Sequence, residues 1–138
     1  MKPKYINLYN DLAKRISDLS YGQRLKVGAV IVKDHRILSY GYNGTPSGFD
    51  NACEYEDDGV LVTKPEVIHA EINAIAKVAK STESCDGATM FVTHSPCVEC
   101  AKMILQSGIS TVYYDALYRN DGGRQLLSLG KVRILKCE

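Results

Sequence analysis

Two short motifs carry the residue types from which metal sites and proton transfer are built. The first is His69-Ala70-Glu71 and the second is Pro96-Cys97-Val98-Glu99-Cys100. Cys97 and Cys100 are three residues apart, so on a helix both sulfur atoms can face the same point. Two thiolates and one imidazole form a three-ligand zinc site with an open fourth position, as in catalytic rather than structural zinc. The motifs therefore predict a catalytic zinc site.

Glu71 is predicted to have a different task from the zinc ligands. It follows His69 by two residues, so its side chain should lie near the metal but should not share the direction of the His69 ligand. A zinc ion lowers the pKa of its water until hydroxide exists near neutral pH. A carboxylate beside it can take the proton and pass it to a ring nitrogen and then to a leaving amine. Glu71 is therefore the predicted general acid and base.

The C-x-x-C pair by itself allows other interpretations. A redox pair of the thioredoxin type is expected just after a first strand near the amino terminus, which is not its place here. A structural zinc site needs a fourth ligand, and the remaining candidates are Cys53, Cys85, Cys137, His35 and His94. Because His94 is close in sequence, a non-catalytic binding module stabilised by a closed zinc site stays a competing hypothesis.

Composition restricts the class of protein that holds these motifs. The 138 residues are 45% hydrophobic and 24% charged, which is typical of one globular domain spanning residues 1–138 and excludes disorder of the whole chain. A net charge of +1 argues against nucleic-acid binding as the main task. No apolar stretch is long enough for a membrane span or a secretory signal. Five unevenly spaced cysteines are not a disulfide framework, so we expect a cytoplasmic protein with reduced thiols.

Hydrophobic periodicity predicts the elements that must position the motifs. The predicted helices cover residues 5–19, 67–80, 96–107 and 124–129, and the predicted strands cover 27–33, 36–42, 87–93, 111–114 and 131–135. We expect residues 43–51 to be a loop and the acidic residues 51–66 to be irregular. Because strands alternate with helices after an opening hairpin, the predicted fold is an α/β protein: a three-layer α/β/α sandwich with a central mixed five-stranded sheet.

The combined H-A-E and P-C-x-x-C pattern resembles the signature of the zinc-dependent nucleoside and nucleotide deaminases. Residues 27–32, 41–48, 69–75 and 87–93 are similar to the deoxycytidylate deaminases of the cytidine/deoxycytidylate deaminase family, and the resemblance runs from residue 27 to residue 118. The G-Y-N-G-x-P-x-G loop at 41–48 discriminates within the family. Deaminases that act on tRNA adenosine and on free cytidine generally lack it.

This resemblance implies a cytidine deaminase-like fold and the hydrolytic deamination of dCMP to dUMP and ammonia, which supplies dUMP for thymidylate synthesis. His69, Cys97 and Cys100 would hold one zinc ion per chain. Hydroxide would attack C4 of cytosine while Glu71 moves protons to N3 and to the departing ammonia. The backbone N–H of Ala70 would bind the carbonyl oxygen of the base. A zinc-dependent deaminase of another cytosine or adenine substrate is the alternative.

The resemblance also implies contacts to the sugar and the phosphate. Asn43 would bind the sugar, with a turn residue between two glycines as the other interpretation. A phosphate needs a cation or a group of N–H donors, for which Lys26 and then Arg24 are the candidates. Arg119 is a further basic residue close by, and Tyr118 could border the sugar or the phosphate.

Many members of this family are homohexamers that dCTP activates and dTTP inhibits, with Mg²⁺ on the triphosphate. The resemblance therefore implies an effector site at a subunit interface, formed by Gly41, Tyr42, Asn43 and Gly44. Lys80 could meet the effector phosphates, although an exposed lysine that complements the helix dipole is an equal alternative. The expected partners are a nucleotide substrate, these two effectors and further copies of the chain, without nucleic acid or membrane.

Overall fold

The computed structural model describes residues 1–118 and 120–138, which fold into helices and strands that largely alternate along the chain. In chain order the elements are α1 (Pro3–Ser17), β1 (Gly28–Lys33), β2 (Arg36–Tyr42), β3 (Glu54–Asp57), β4 (Val60–Thr63), α2 (Ala70–Ala79), β5 (Thr89–His94), α3 (Val98–Ser107), β6 (Thr111–Ala116), α4 (Gly122–Leu129) and β7 (Arg133–Lys136). Within these described residues no helix combines the length and the apolar character needed to cross a bilayer.

The central sheet has five strands in the order β2-β1-β5-β6-β7. β1 runs antiparallel to both of its neighbours, β2 and β5. β5, β6 and β7 run parallel to one another, each following a helical crossover. The predicted mixed five-stranded sheet is therefore confirmed.

Helices cover both faces of this sheet, because side chains on its strands alternate between two apolar layers. Val30 and Val32 of β1 pack with Ala13 of α1 on one face. Ala29 and Ile31 of β1 pack on the opposite face, in the cluster that includes the buried residues of α2, α3 and α4. The two apolar layers give the predicted α/β/α sandwich.

Within residues 51–66, β3 and β4 form a second, two-stranded sheet, so the prediction of irregular structure was wrong for residues 54–63. β3 and β4 pair antiparallel, with Glu54 opposite Thr63 and Asp57 opposite Val60. The two residues of the turn, Asp58 and Gly59, have φ angles of 51° and 76°. An Asp-Gly pair is a favoured sequence for such a hairpin turn, and the acidic composition of the segment concealed it.

Both helices that carry the chemical motifs begin later than predicted. Before α2, Ile68 is extended and exchanges backbone hydrogen bonds with Gly44. This makes His69 the extended N-cap of α2, whereas the prediction started that helix at residue 67. Likewise Cys97 is the extended N-cap of α3, whereas the prediction started that helix at Pro96. Two of the three predicted zinc ligands therefore lie at the amino ends of neighbouring helices rather than inside them.

Candidate active site

The donor atoms of His69, Cys97 and Cys100 come together although they belong to two different helices. Nδ1 of His69 lies 3.2 Å from Sγ of Cys100 and 3.5 Å from Sγ of Cys97. All three donors lie within 4.8 Å of one another, and among the described residues no other group of three or more His, Cys, Asp or Glu side chains is this close. Tetrahedral zinc places nitrogen and sulfur donors about 3.5 Å apart, so this set fits that metal. His94 does not join the cluster.

Close packing of β2 on α2 fixes where the amino end of α2 lies. A Cβ atom at Gly41 would collide with the carbonyl oxygen of Ala70 and would lie 2.6 Å from the backbone nitrogen of Ala74. Glycine at this position therefore allows the strand and the first turn of the helix to touch through their backbones. That contact positions His69 and Glu71, which flank Ala70 in the chain.

The two cysteines differ in their affinity for a proton. The hydrogen bond from the Cys100 thiol and the contact with His69 lower the pKa of Cys97 to about 3. The pKa of Cys100 is raised, first because its thiol donates to Cys97 and then because it is buried. The contact with Cys97 raises the pKa of His69. A divalent cation favours both thiolates and a neutral imidazole, which is the ligand set that zinc requires.

Glu71 lies in the first turn of α2 and is 5% exposed. Burial raises the pKa of its carboxyl group to about 7. A carboxyl group with a pKa near the working pH can both accept and donate a proton. The side chain also lines the cavity beside the donor cluster, so it can act on a molecule bound there.

A cavity of about 390 Å³ opens beside these side chains. Its lining includes Arg24, Asn43, Glu71, His94 and Tyr118, together with His69 and Cys97. The volume falls within the range of sites for small molecules, and the polar groups converge on it from both sheets and from α2.

Two of the predicted substrate-binding residues, Arg24 and Asn43, line this cavity from its loops. The Asn43 side chain accepts a hydrogen bond from Val27 N at 2.8 Å and donates one to Leu25 O at 2.9 Å. Arg24 donates to Thr63 Oγ1 at 3.1 Å. Both residues therefore shape the cavity wall as well as facing the cavity.

Ala70 and Tyr118 also line the cavity. Ala70 is the first residue of α2, so its backbone N–H has no partner within the helix. The backbone nitrogen of Tyr118 donates to Ser95 Oγ at 2.6 Å, which ties the segment after β6 to the segment after β5.

Other predicted residues are not brought to the cavity. Lys26 is exposed and does not line it. Lys80 follows the last residue of α2, whereas Gly41 and Gly44 contact the beginning of that helix, and ten helical residues span about 15 Å. Arg119 lies outside the described residues.

Sequence reasoning missed the contribution of the β3–β4 hairpin. Oε2 of Glu54 accepts hydrogen bonds from Gln23 N at 2.9 Å and Arg24 N at 3.1 Å, and Glu54 and Thr63 both line the cavity. The hairpin therefore holds the loop that presents Arg24. The Asp58-Gly59 turn was the signal in the sequence that could have revealed it.

The profile of the family described as the cytidine and deoxycytidylate deaminase zinc-binding region matches residues 4–116, which include every residue of the donor cluster. This chain belongs to that family. The chain is 46% identical over 100 residues to ComE operon protein 2 of Bacillus subtilis, with 70% of this chain and 51% of that protein covered. It is 39% identical over 131 residues to the deoxycytidylate deaminase of Enterobacteria phage T4, with 67% of this chain and 68% of that protein covered.

A solved structure resembles this chain along nearly its whole length. The dCMP deaminase of cyanophage S-TIM5, determined in complex with dCMP and dUMP, is 49% identical to it and superposes with a TM-score of 0.94. The match covers 99% of this chain and 98% of that one. The chain therefore corresponds to the whole of that cyanophage structure, although it spans only about half of the B. subtilis protein.

Proposed function

We propose that this deaminase converts dCMP and water to dUMP and ammonia. The observation that carries the proposal is its likeness, at 49% identity and a TM-score of 0.94, to the cyanophage enzyme solved with dCMP and dUMP. The chemistry of the cavity agrees with it, because a three-donor cluster and a buried glutamic acid lie side by side.

His69, Cys97 and Cys100 are the residues that would hold zinc, one ion per chain. When bound, zinc supplies a Lewis acid that makes water nucleophilic near neutral pH. Glu71 takes a proton from the attacking water and delivers it to N3 of cytosine. It then moves the second proton to the amine that leaves C4, so that the C4–N bond breaks and a C4–O bond remains.

The cavity wall supplies the contacts that orient the nucleotide. The backbone N–H of Ala70 donates to the carbonyl oxygen of the base, and Asn43 contacts the sugar. Arg24, held at the cavity by Glu54 and Thr63, faces the phosphate, and Tyr118 borders the sugar or the phosphate. Lys26, which is exposed outside the cavity, contributes a more distant positive charge.

A substrate panel tests this function. Zinc-loaded protein is incubated separately with dCMP, CMP, deoxycytidine and dCTP, and the loss of cytosine absorbance is followed. We expect the highest kcat/KM with dCMP. A preference for deoxycytidine would refute the proposed phosphate contacts. If no cytosine compound were turned over, the result would favour the non-catalytic zinc module or an adenine substrate instead.

Regulation and assembly extend the proposal. As the family resemblance suggests, the chain would be a single deaminase domain that assembles into a cytoplasmic homohexamer and supplies dUMP for thymidylate synthesis. dCTP with Mg²⁺ would activate it and dTTP would inhibit it, through a site near Gly41, Tyr42, Asn43, Gly44 and Lys80. Initial rates at subsaturating dCMP test this. Opposite responses to the two triphosphates support the effector site, and rates that neither triphosphate changes refute it.

A further inference from the structure

His94 is the histidine in the cavity to which the proposed mechanism gives no task. It is the last residue of β5, lies opposite Ala116 in the register with β6, and is partly buried. It lines the cavity but stands outside the His69, Cys97 and Cys100 cluster. Its side chain is therefore available to a bound molecule rather than to the metal.

A short chain of hydrogen bonds decides which ring nitrogen of His94 carries the proton. Thr93 Oγ1 accepts from Gly28 N at 3.2 Å and lies 3.0 Å from Nδ1 of His94. Thr93 is 5% exposed, so its hydroxyl proton needs an acceptor inside the protein. Within the described residues, Nδ1 of His94 is the acceptor in reach. The Thr93 hydroxyl therefore donates to Nδ1, and the neutral ring carries its proton on Nε2.

Nε2 of His94 has no hydrogen-bond partner among the described residues. Among the described residues, the buried side-chain N and O atoms without a hydrogen-bond partner are Asn10 Oδ1, Glu54 Oε1 and Arg124 Nε. Nε2 of His94 is not one of them, so it is accessible from outside the protein. Because His94 lines the cavity, Nε2 presents a free N–H donor to whatever occupies it.

The position of His94 in the sheet indicates which part of a nucleotide it meets. In the proposed function, Ala70 and Glu71 at the amino end of α2 contact the base. His94 lies next to the carboxyl end of β6, and the residues that follow this strand, Leu117 and Tyr118, line the same cavity. A phosphate group there needs several donors, and the Arg24 side chain already donates to Thr63 Oγ1.

We infer that Nε2–H of His94 donates a hydrogen bond to the 5′-phosphate of the bound nucleotide. His94 is thus a specificity-determining residue that favours the monophosphate over the free nucleoside. This inference rests on the proposed function, since it concerns the same substrate. Thr93 is a positioning residue for the same contact, because its hydroxyl selects the tautomer that can donate.

The test compares substrates with and without the phosphate. kcat/KM is measured for dCMP and deoxycytidine with the zinc-loaded wild-type protein, with His94→Leu and with His94→Gln. A hydrogen bond to a charged group contributes enough that His94→Leu should lose about ten- to a hundredfold in kcat/KM on dCMP and less than twofold on deoxycytidine. His94→Gln keeps an N–H donor and should recover part of the loss. Equal losses on both substrates would overturn the inference.

Two further measurements keep the result decisive. His35→Asn changes an exposed histidine at φ 60° in the β1–β2 turn, where asparagine is tolerated, and should leave both substrates unaffected. Calorimetric binding of dUMP and deoxyuridine repeats the comparison without turnover, and His94→Leu should weaken only dUMP. Absence of dCMP turnover by the wild type would refute the proposed function. Normal wild-type turnover with no phosphate-dependent change in His94→Leu would refute this inference alone.

Discussion

Burial distinguishes the two glutamates that lie within the H-A-E and P-C-x-x-C motifs. Glu99 lies between the two cysteines of P-C-x-x-C, but it is exposed and pairs with Lys102 at 2.9 Å. An exposed ion pair of this kind contributes only about 0–1 kcal/mol to stability. Glu71 is 5% exposed and its pKa is raised to about 7 by that burial. Its spacing from His69 selected Glu71 in the sequence, but residue type and spacing do not specify the burial that raises its pKa.

Glu71→Ala should abolish turnover without unfolding the protein. Loss of a general acid and base typically lowers kcat by about 10²- to 10⁴-fold, because the proton transfers to N3 and to the amine lose their carrier. Cytosine absorbance with dCMP gives the rate, and elemental analysis gives the zinc content, which should be unchanged. Glu99→Ala is the matched control and should retain wild-type turnover. Full activity of Glu71→Ala would contradict the proposed mechanism.

Cys100→Ser should remove zinc from the protein. Cys100 is fully buried and its sulfur lies 3.2 Å from Nδ1 of His69, so a serine hydroxyl there replaces a thiolate donor with a poor one. Zinc stoichiometry after gel filtration should fall from about one per chain to well below that value. Cys85→Ala is the control, because Cys85 is buried in the core outside the donor cluster. Equal zinc content in the two variants would show that Cys100 is not a ligand.

At the scale of elements, the sequence predicted what periodicity encodes and missed what depends on distant partners. The continuous apolar run from Ala29 to Val32 predicted a buried strand, and the structure distributes these four residues between two apolar layers. The start of α2 could not be predicted in the same way, because Ile68 is held extended by pairing with Gly44. Similarly, Glu54 gained its task from backbone groups some thirty positions away.

The same limit explains which parts of the candidate site were found. Cys97 and Cys100 follow from a compact spacing rule that the local chain enforces, and His69 follows from the separate H-A-E motif. His94 was considered in the sequence only as a fourth zinc ligand, and its place in the cavity depends on Thr93, Gly28 and the register with β6. Such contacts join residues remote in sequence, so a single sequence does not specify them.

Gly41→Ala should destabilise the protein and disturb its metal site together. The added Cβ would collide with the carbonyl oxygen of Ala70, so α2 must move away from β2 and carry His69 with it. Overpacking of this kind costs about 1–3 kcal/mol, measurable as a lower urea midpoint, and zinc affinity should fall as well. Gly44→Ala, where the nearest atom is 4.0 Å from the new Cβ, should unfold near the wild-type midpoint. Unchanged stability of Gly41→Ala would show that the two backbones are not in contact.

At the scale of the whole molecule, metal binding should add a link between two helices. The donor cluster joins the amino ends of α2 and α3, and His69 and Cys97 also line the cavity. A ligand at a hundredfold excess over its Kd stabilises the native state by about 2.7 kcal/mol. Removal of zinc by a chelator should therefore lower Tm by roughly 10 °C, and restored zinc should reverse the change. Calorimetry with and without chelator measures this, and an unchanged Tm would contradict it.

The geometry of α2 also constrains how any effector site could be assembled. Within one chain Gly44 pairs with Ile68 just before α2, while Lys80 follows the other end of the helix, about 15 Å away. A triphosphate that touched both Gly44 and Lys80 of one chain would have to extend along the whole of α2, whereas a site shared between two subunits would not need this reach. In that case Lys80→Ala should weaken activation by dCTP while leaving the rate at saturating dCMP intact, and Lys131→Ala, at another exposed position, should change neither. Sedimentation in the presence of dCTP and Mg²⁺ completes the test. A monomeric chain that dCTP still activates would rule out a shared site.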